Sequence, residues 1–139
     1  MKKKFALSFV ALASVALLAA CGEVKSGGSN ATGTKVADKT IKIGFNFEET
    51  GATAAYGTAE QKGAQLAVDE INKAGGIDGK KLEVVDKDNK SETAEAASVT
   101  TNLVTQSKVN AVVGPATSGA TAAAVPNATK AGVPLISPS

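Results

Sequence analysis

The side chains able to do chemistry are few, and their spacing narrows what that chemistry is. The chain has one cysteine, Cys21, and no histidine. A single thiol makes no internal disulfide and, without histidine, builds no metal site. A hydrolytic nucleophile needs a base beside it, and no histidine is there to serve. Glu48 and Glu49 read as solvated loop charges, and no spacing of carboxylates or lysines marks a catalytic pair. Metal ligands, cofactor motifs and catalytic residues are therefore expected to be absent. What remains is a place suited to holding a ligand. In "GPATSGAT", Thr117 and Ser118 stand where a helix begins, with Gly119 following and no lysine in the loop. Hydroxyls and unpaired N–H groups converge at such a start, and the helix dipole adds partial positive charge. That combination suits a carboxylate. The alternative is that Ser118 serves only as the helix N-cap.

Cys21 has a different use. Lys2, Lys3 and Lys4 precede an uncharged, mostly apolar run from Phe5 to Ala20. Those 16 residues fall short of the roughly 20 that a spanning helix needs. A basic start, a short apolar run and small residues before a cut site make a secretory signal, expected over residues 1–20. Leu18-Ala19-Ala20-Cys21 resembles the bacterial lipobox, in which the sulfur carries diacylglycerol, so Cys21 is expected to be an anchor point for lipid. The alternative is an incidental cysteine in a plain signal peptide.

Composition then excludes several partners. All 15 basic residues are lysine, and three of them lie in the signal, leaving 12 against 13 acidic residues. Neither a basic face nor arginine is available for nucleic acid, and at 4% aromatic content stacking platforms are not expected. Residues 22–39, rich in Gly, Ser, Thr, Asn and Lys, read with Cys21 as a lipidated flexible tether. Its span as a flexible chain is roughly 23 Å.

From residue 40 the pattern alternates. "TIKIGFNF" is a strand, with Ile41, Ile43 and Phe45 on one side. Ala64, Ala67, Val68 and Ile71 predict a helix over 57–74, and "AGGIDGKK" ends it. "KLEVVDKD" is a second strand, and residues 91–106 a second helix capped by Asn89 or Ser91. "NAVVG" is a third strand. Residues 118–131 are helical, with a kink or restart expected at Pro126. "VPLIS" is a fourth strand. The order β-α-β-α-β-α-β predicts an α/β fold: a Rossmann-like parallel sheet with helices on both faces. A strand edge with no covering helix at "LISPS" reads as the end of an N-terminal piece of a longer protein. Ligands of such sheets bind beyond the carboxyl ends of the strands. The loops there carry neither GxGxxG nor GxxxxGK[ST], so nucleotide binding is not supported.

"KIGFNFEETGATAAYGTAEQKGAQLAVDEINKAGGIDGKKLEVVDKD" and "AVVGPATSGATAAAVPNATKAGVPLISPS" complete the picture. With the lipobox, they resemble the leucine/isoleucine/valine-binding proteins, type I substrate-binding proteins of ABC transporters in lipoprotein form. The resemblance covers nearly all of residues 41–139. It implies two α/β lobes closing on a ligand, of which residues 40–139 would be part of the N-terminal lobe. It implies a branched-chain amino acid as ligand, permease subunits in the membrane as partners, and a lipid-anchored place on the extracellular face. By the same resemblance Thr117 and Ser118 receive the ligand carboxylate, and Tyr56 forms an aromatic wall. Ser139 offers a backbone carbonyl to the ammonium. Read from the residues alone, Tyr56 is equally a half-buried ring packed on the first helix. Three alternatives stand beside this function: the same fold with another small solute (an amide, urea, an aromatic acid or a sugar), a surface enzyme with a Rossmann-like lobe, and an adhesin or structural lipoprotein.

Overall fold

The computed structural model describes residues 33–37 and 39–139. Four strands and three helices alternate: β1 (Thr40–Phe47), α1 (Ala54–Lys73), β2 (Lys81–Asp88), α2 (Thr93–Thr105), β3 (Ala111–Val113), α3 (Ser118–Ala131) and β4 (Leu135–Ile136). All strands are parallel, in the order β2-β1-β3-β4. The expected α/β architecture is therefore present.

The two-residue period of β1 divides the core. Phe45 and Phe47, an edge-to-face pair with centroids 5.7 Å apart, lie on one face with Ile41 and Ile43. There they pack with Val68 and Ala64 of α1 and Leu82 of β2. On the other face α2 buries Ala96, Val99, Thr100, Leu103 and Val104, a stripe one helix side wide. Val99, Leu103 and Val104 join Val109, Val112 and Val133 in a second cluster. α3 buries Ala120, Ala124 and Ala128, one every fourth residue, so its small side chains let it lie close to α2. Helices thus cover both faces.

Several local expectations are corrected. α1 begins three residues before the expected Gly57, and α2 begins at Thr93 with Glu92 at its N-cap, where neither Asn89 nor Ser91 makes a side-chain cap. Pro126 interrupts nothing: α3 is continuous from Ser118 to Ala131. Pro126 and Ala122, whose carbonyl loses its N–H partner, are both exposed, so water can satisfy that oxygen. Of the expected tether, residues 33–37 carry no regular structure, and the Thr34 carbonyl accepts from Asn110 Nδ2 at 2.9 Å. The signal segment, Cys21 and the first part of the tether lie outside the described residues. No helix among the described residues is long and apolar enough to cross a membrane.

Candidate functional site

The strand order locates the crevice. From β1 the chain moves to β2 on one side and then crosses to β3 on the other, so the direction of winding reverses between β1 and β3. Loops leaving the carboxyl ends of such neighbours diverge and open a ligand crevice. Here they are residues 48–53 after β1 and 114–117 after β3. The sheet edge continues into residues 137–139 after β4.

The two loops are tied together by Glu48, the residue immediately after β1. It is fully buried. Its Oε2 accepts from the Ala116 N–H at 2.9 Å, and its Oε1 accepts from the Thr117 N–H at 3.1 Å and the Thr117 hydroxyl at 2.8 Å. The expectation of a solvated Glu48 is therefore wrong. Its carboxylate sits behind the start of α3, where three donors compensate its burial. α1 closes over the same residue: a Cβ on Gly57 would fall 2.6 Å from both the carbonyl carbon and the nitrogen of Glu48. Gly114, at φ 96°, also lies close on a backbone, with the carbonyl carbon of Asn46 3.0 Å from the space a Cβ would occupy.

With Thr117 as N-cap, its hydroxyl and N–H already engaged by Glu48, the free end of α3 falls to the next residues. The N–H groups of Ser118, Gly119 and Ala120 make no hydrogen bond to the described residues. Ser118 is the first helical residue rather than the cap, and it is exposed. Its Oγ lies 2.9 Å from Ser139 Oγ, so two of the expected site residues meet. Ser137 holds that terminal segment in place: its Oγ donates to the Pro115 carbonyl at 2.7 Å and accepts from the Ser139 N–H at 3.1 Å. Tyr56 stands in the first turn of α1, beside Gly57 at the same edge of the sheet. At 68% exposed it is not the half-buried packing ring that was the alternative.

A second set of contacts pins the loop after β1. The Asp88 carboxylate accepts from the N–H groups of Glu49 (3.0 Å), Thr50 (3.2 Å) and Lys90 (2.7 Å) and from the Thr50 hydroxyl (2.6 Å). Burial pushes the Asp88 carboxyl up, but those hydrogen bonds outweigh it and hold it below its ordinary value. Ser91 Oγ donates to the Thr50 carbonyl at 2.7 Å. Beneath the loop, Asn46 Nδ2 donates to the Ala96 carbonyl and to Thr100 Oγ1, while Asn46 Oδ1 accepts from Asn89 Nδ2 at 3.0 Å.

The electrostatics are acidic. Burial, followed by the Asp86 hydrogen bond and the charges of Asp86 and Asp88, raises the Glu49 carboxyl to about 7. Burial and then the Glu48 charge raise Glu60, whose Oε2 is buried without a hydrogen-bond partner. Among the described residues no group of acidic or cysteine side chains is arranged to hold a metal ion. Among the described residues the side-chain partner of Ser118 is a second serine, Ser139.

Comparison with known proteins decides the class. Residues 40–139 match the periplasmic binding protein family. The chain belongs to that family. A solved relative, the branched-chain amino acid transporter substrate-binding protein LivJ of Streptococcus pneumoniae in complex with isoleucine, is 92% identical. It superposes with a TM-score of 0.72 over 73% of this chain and 29% of its own. The leucine-, isoleucine-, valine-, threonine- and alanine-binding protein of Pseudomonas aeruginosa is 38% identical over 75% of this chain and 28% of its own length. A solute-binding protein of Rhodopseudomonas palustris, in complex with 3,4-dihydroxy benzoic acid, is 33% identical with a TM-score of 0.61, over 70% of this chain and 26% of its own. The chain thus spans little more than a quarter of the length of these family members. Its relatives are solute-binding proteins of ABC transporters, with branched-chain amino acids prominent among the named ligands.

Proposed function

We propose that this chain is the first part of a receptor that captures leucine, isoleucine or valine outside the cell and hands it to a membrane permease. The observation that carries this reading is the 92% identity to the isoleucine-bound pneumococcal protein. The crevice agrees with it. A ligand carboxylate is received by Ser118 Oγ and the N–H groups at the start of α3, with Thr117 fixed behind it by Glu48. Ser139 borders the ligand ammonium, and Tyr56 stands as a wall at the α1 side of the opening. No bond is made or broken. Cys21 carries the lipid that keeps the receptor at the membrane's outer face, and mass spectrometry of the N-terminal peptide tests that separately.

The receptor to test joins residues 1–139 to the rest of the pneumococcal protein, since this chain alone spans 29% of it. A ligand present at 100 times its dissociation constant stabilises by about 2.7 kcal/mol. Isoleucine, leucine and valine are expected to raise the melting temperature. The Rhodopseudomonas palustris relative favours an aromatic acid as the competing ligand. A shift with 3,4-dihydroxybenzoate and none with isoleucine would replace our ligand by that one.

A further inference from the structure

Glu48 places a buried carboxylate behind the crevice, held by hydrogen bonds and without an ion-pair partner among the described residues. Neither ion pair among the described residues involves it: those are Lys42–Glu83 and Lys90–Glu95. Among the described residues its oxygens are satisfied by the Ala116 N–H, the Thr117 N–H and the Thr117 hydroxyl alone. Its charge is felt by another acid, Glu60 on α1, whose carboxyl is raised first by burial and then by Glu48. A ligand carboxylate at Ser118 would therefore meet favourable N–H donors in front and a carboxylate one residue behind. The side chain is wholly buried, so rotation into solvent does not relieve the repulsion.

We propose that Glu48 is a specificity-determining residue: its buried carboxylate makes the crevice accept zwitterions and reject anions of the same shape. The inference rests on the reading that the ligand's carboxylate docks at Ser118. A zwitterion brings an ammonium on the carbon next to its carboxylate, so its net charge is zero and the field of Glu48 acts on a dipole. An anion of equal size receives the same donors and bears the full repulsion. Glu48 also removes the Thr117 hydroxyl and N–H as free donors, so the ligand finds fewer groups to offset that repulsion. Like charges juxtaposed across a binding surface are a recurrent means of excluding wrong partners.

The experiment compares isoleucine with 3-methyl-2-oxopentanoate, which keeps its carbon skeleton and carboxylate but carries a ketone in place of the ammonium. Calorimetry is run on the receptor described above, as wild type, Glu48→Gln and Glu48→Asp. Glutamine keeps the oxygen that serves Thr117 and removes the charge. The ratio of the two dissociation constants cancels the ammonium's own contacts when variant is compared with wild type. Glu48→Gln is expected to shift that ratio toward the oxo acid by about tenfold or more, and Glu48→Asp to leave it within about twofold. An unchanged ratio in folded Glu48→Gln that still binds isoleucine overturns the charge filter and leaves the site reading intact. If Glu48→Gln does not fold, Glu48→Leu, which also removes the charge, takes its place: a ratio shifted toward the oxo acid supports the filter and an unchanged ratio overturns it. Failure of the wild-type receptor to bind isoleucine overturns both readings.

Discussion

Two glycines on one helix should respond to alanine with opposite signs. Gly57 lies in the first turns of α1, against the backbone of Glu48; Gly63 is exposed, six residues on, with nothing within 4 Å of the position a Cβ would take. Helix propensity favours alanine at both, by about 0.8–1.0 kcal/mol. At Gly63 nothing opposes that gain, so Gly63→Ala should raise the melting temperature by roughly 4 °C for a domain of this size. At Gly57 the new carbon would sit 2.6 Å from two backbone atoms of Glu48, where ordinary contact begins near 3.4 Å. Neither atom belongs to a flexible side chain, so α1 or the loop after β1 must move by nearly an ångström. Overpacking of this kind costs about 1–3 kcal/mol, and backbone resistance puts the site at the upper end. The net is a destabilisation of about 1–2 kcal/mol, together with displacement of Glu48 and weaker isoleucine binding. Urea unfolding of both variants, with calorimetry on the receptor, is the assay. Equal stabilisation by both substitutions would show that α1 does not pack on Glu48 as described.

Further outcomes follow from the same contacts. Asn46→Leu removes three buried hydrogen bonds and leaves the Asn89 amide without its acceptor, so unfolding free energy should fall by about 3 kcal/mol in urea titration. Glu49 is raised from an ordinary 4.5 to about 7, so between those values the folded state holds a proton that the unfolded chain releases. Stability should therefore fall as pH rises through that window, and Glu49→Gln should flatten the slope in melting curves taken from pH 4.5 to 7.5. Glu60, also raised, leaves a residual slope of the same sign, whereas the lowered Asp88 acts with opposite sign, losing its contribution as pH falls below about its ordinary 3.8. Ser118→Ala removes a hydroxyl from a charged ligand group, expected to weaken isoleucine binding by about 2 kcal/mol, or roughly 30-fold, with little change in melting temperature.

The elements were legible because local physics dictates them. Alternation in "TIKIGFNF" and the Ala96, Val99, Leu103 stripe are periodic signals that no tertiary contact overrides. Boundaries shifted where capping was not by side chain: α2 starts at Thr93 because Asn89 turns inward to Asn46 and Ser91 turns to the loop after β1. The part of the site carried by one segment, Thr117 and Ser118 opening a helix, was also readable. Glu48 was not. Nothing in "NFEET" distinguishes a buried acid from a solvated one, because its donors lie 68 and 69 residues away on Ala116 and Thr117. Only the strand order, which puts β1 beside β3, brings them within reach. The Asn46–Asn89 pair was missed for the same reason, being separated by 43 residues. Tyr56 left two readings open, and its exposure speaks only against the half-buried packing ring.

A structure of the receptor with isoleucine bound tests the central claim most directly. The ligand carboxylate is expected within about 3 Å of Ser118 Oγ and of N–H groups at the start of α3. Glu48 should still hold Ala116 and Thr117 as it does here. Isoleucine bound elsewhere, or Glu48 swung away to let the carboxylate take Thr117, would contradict the account.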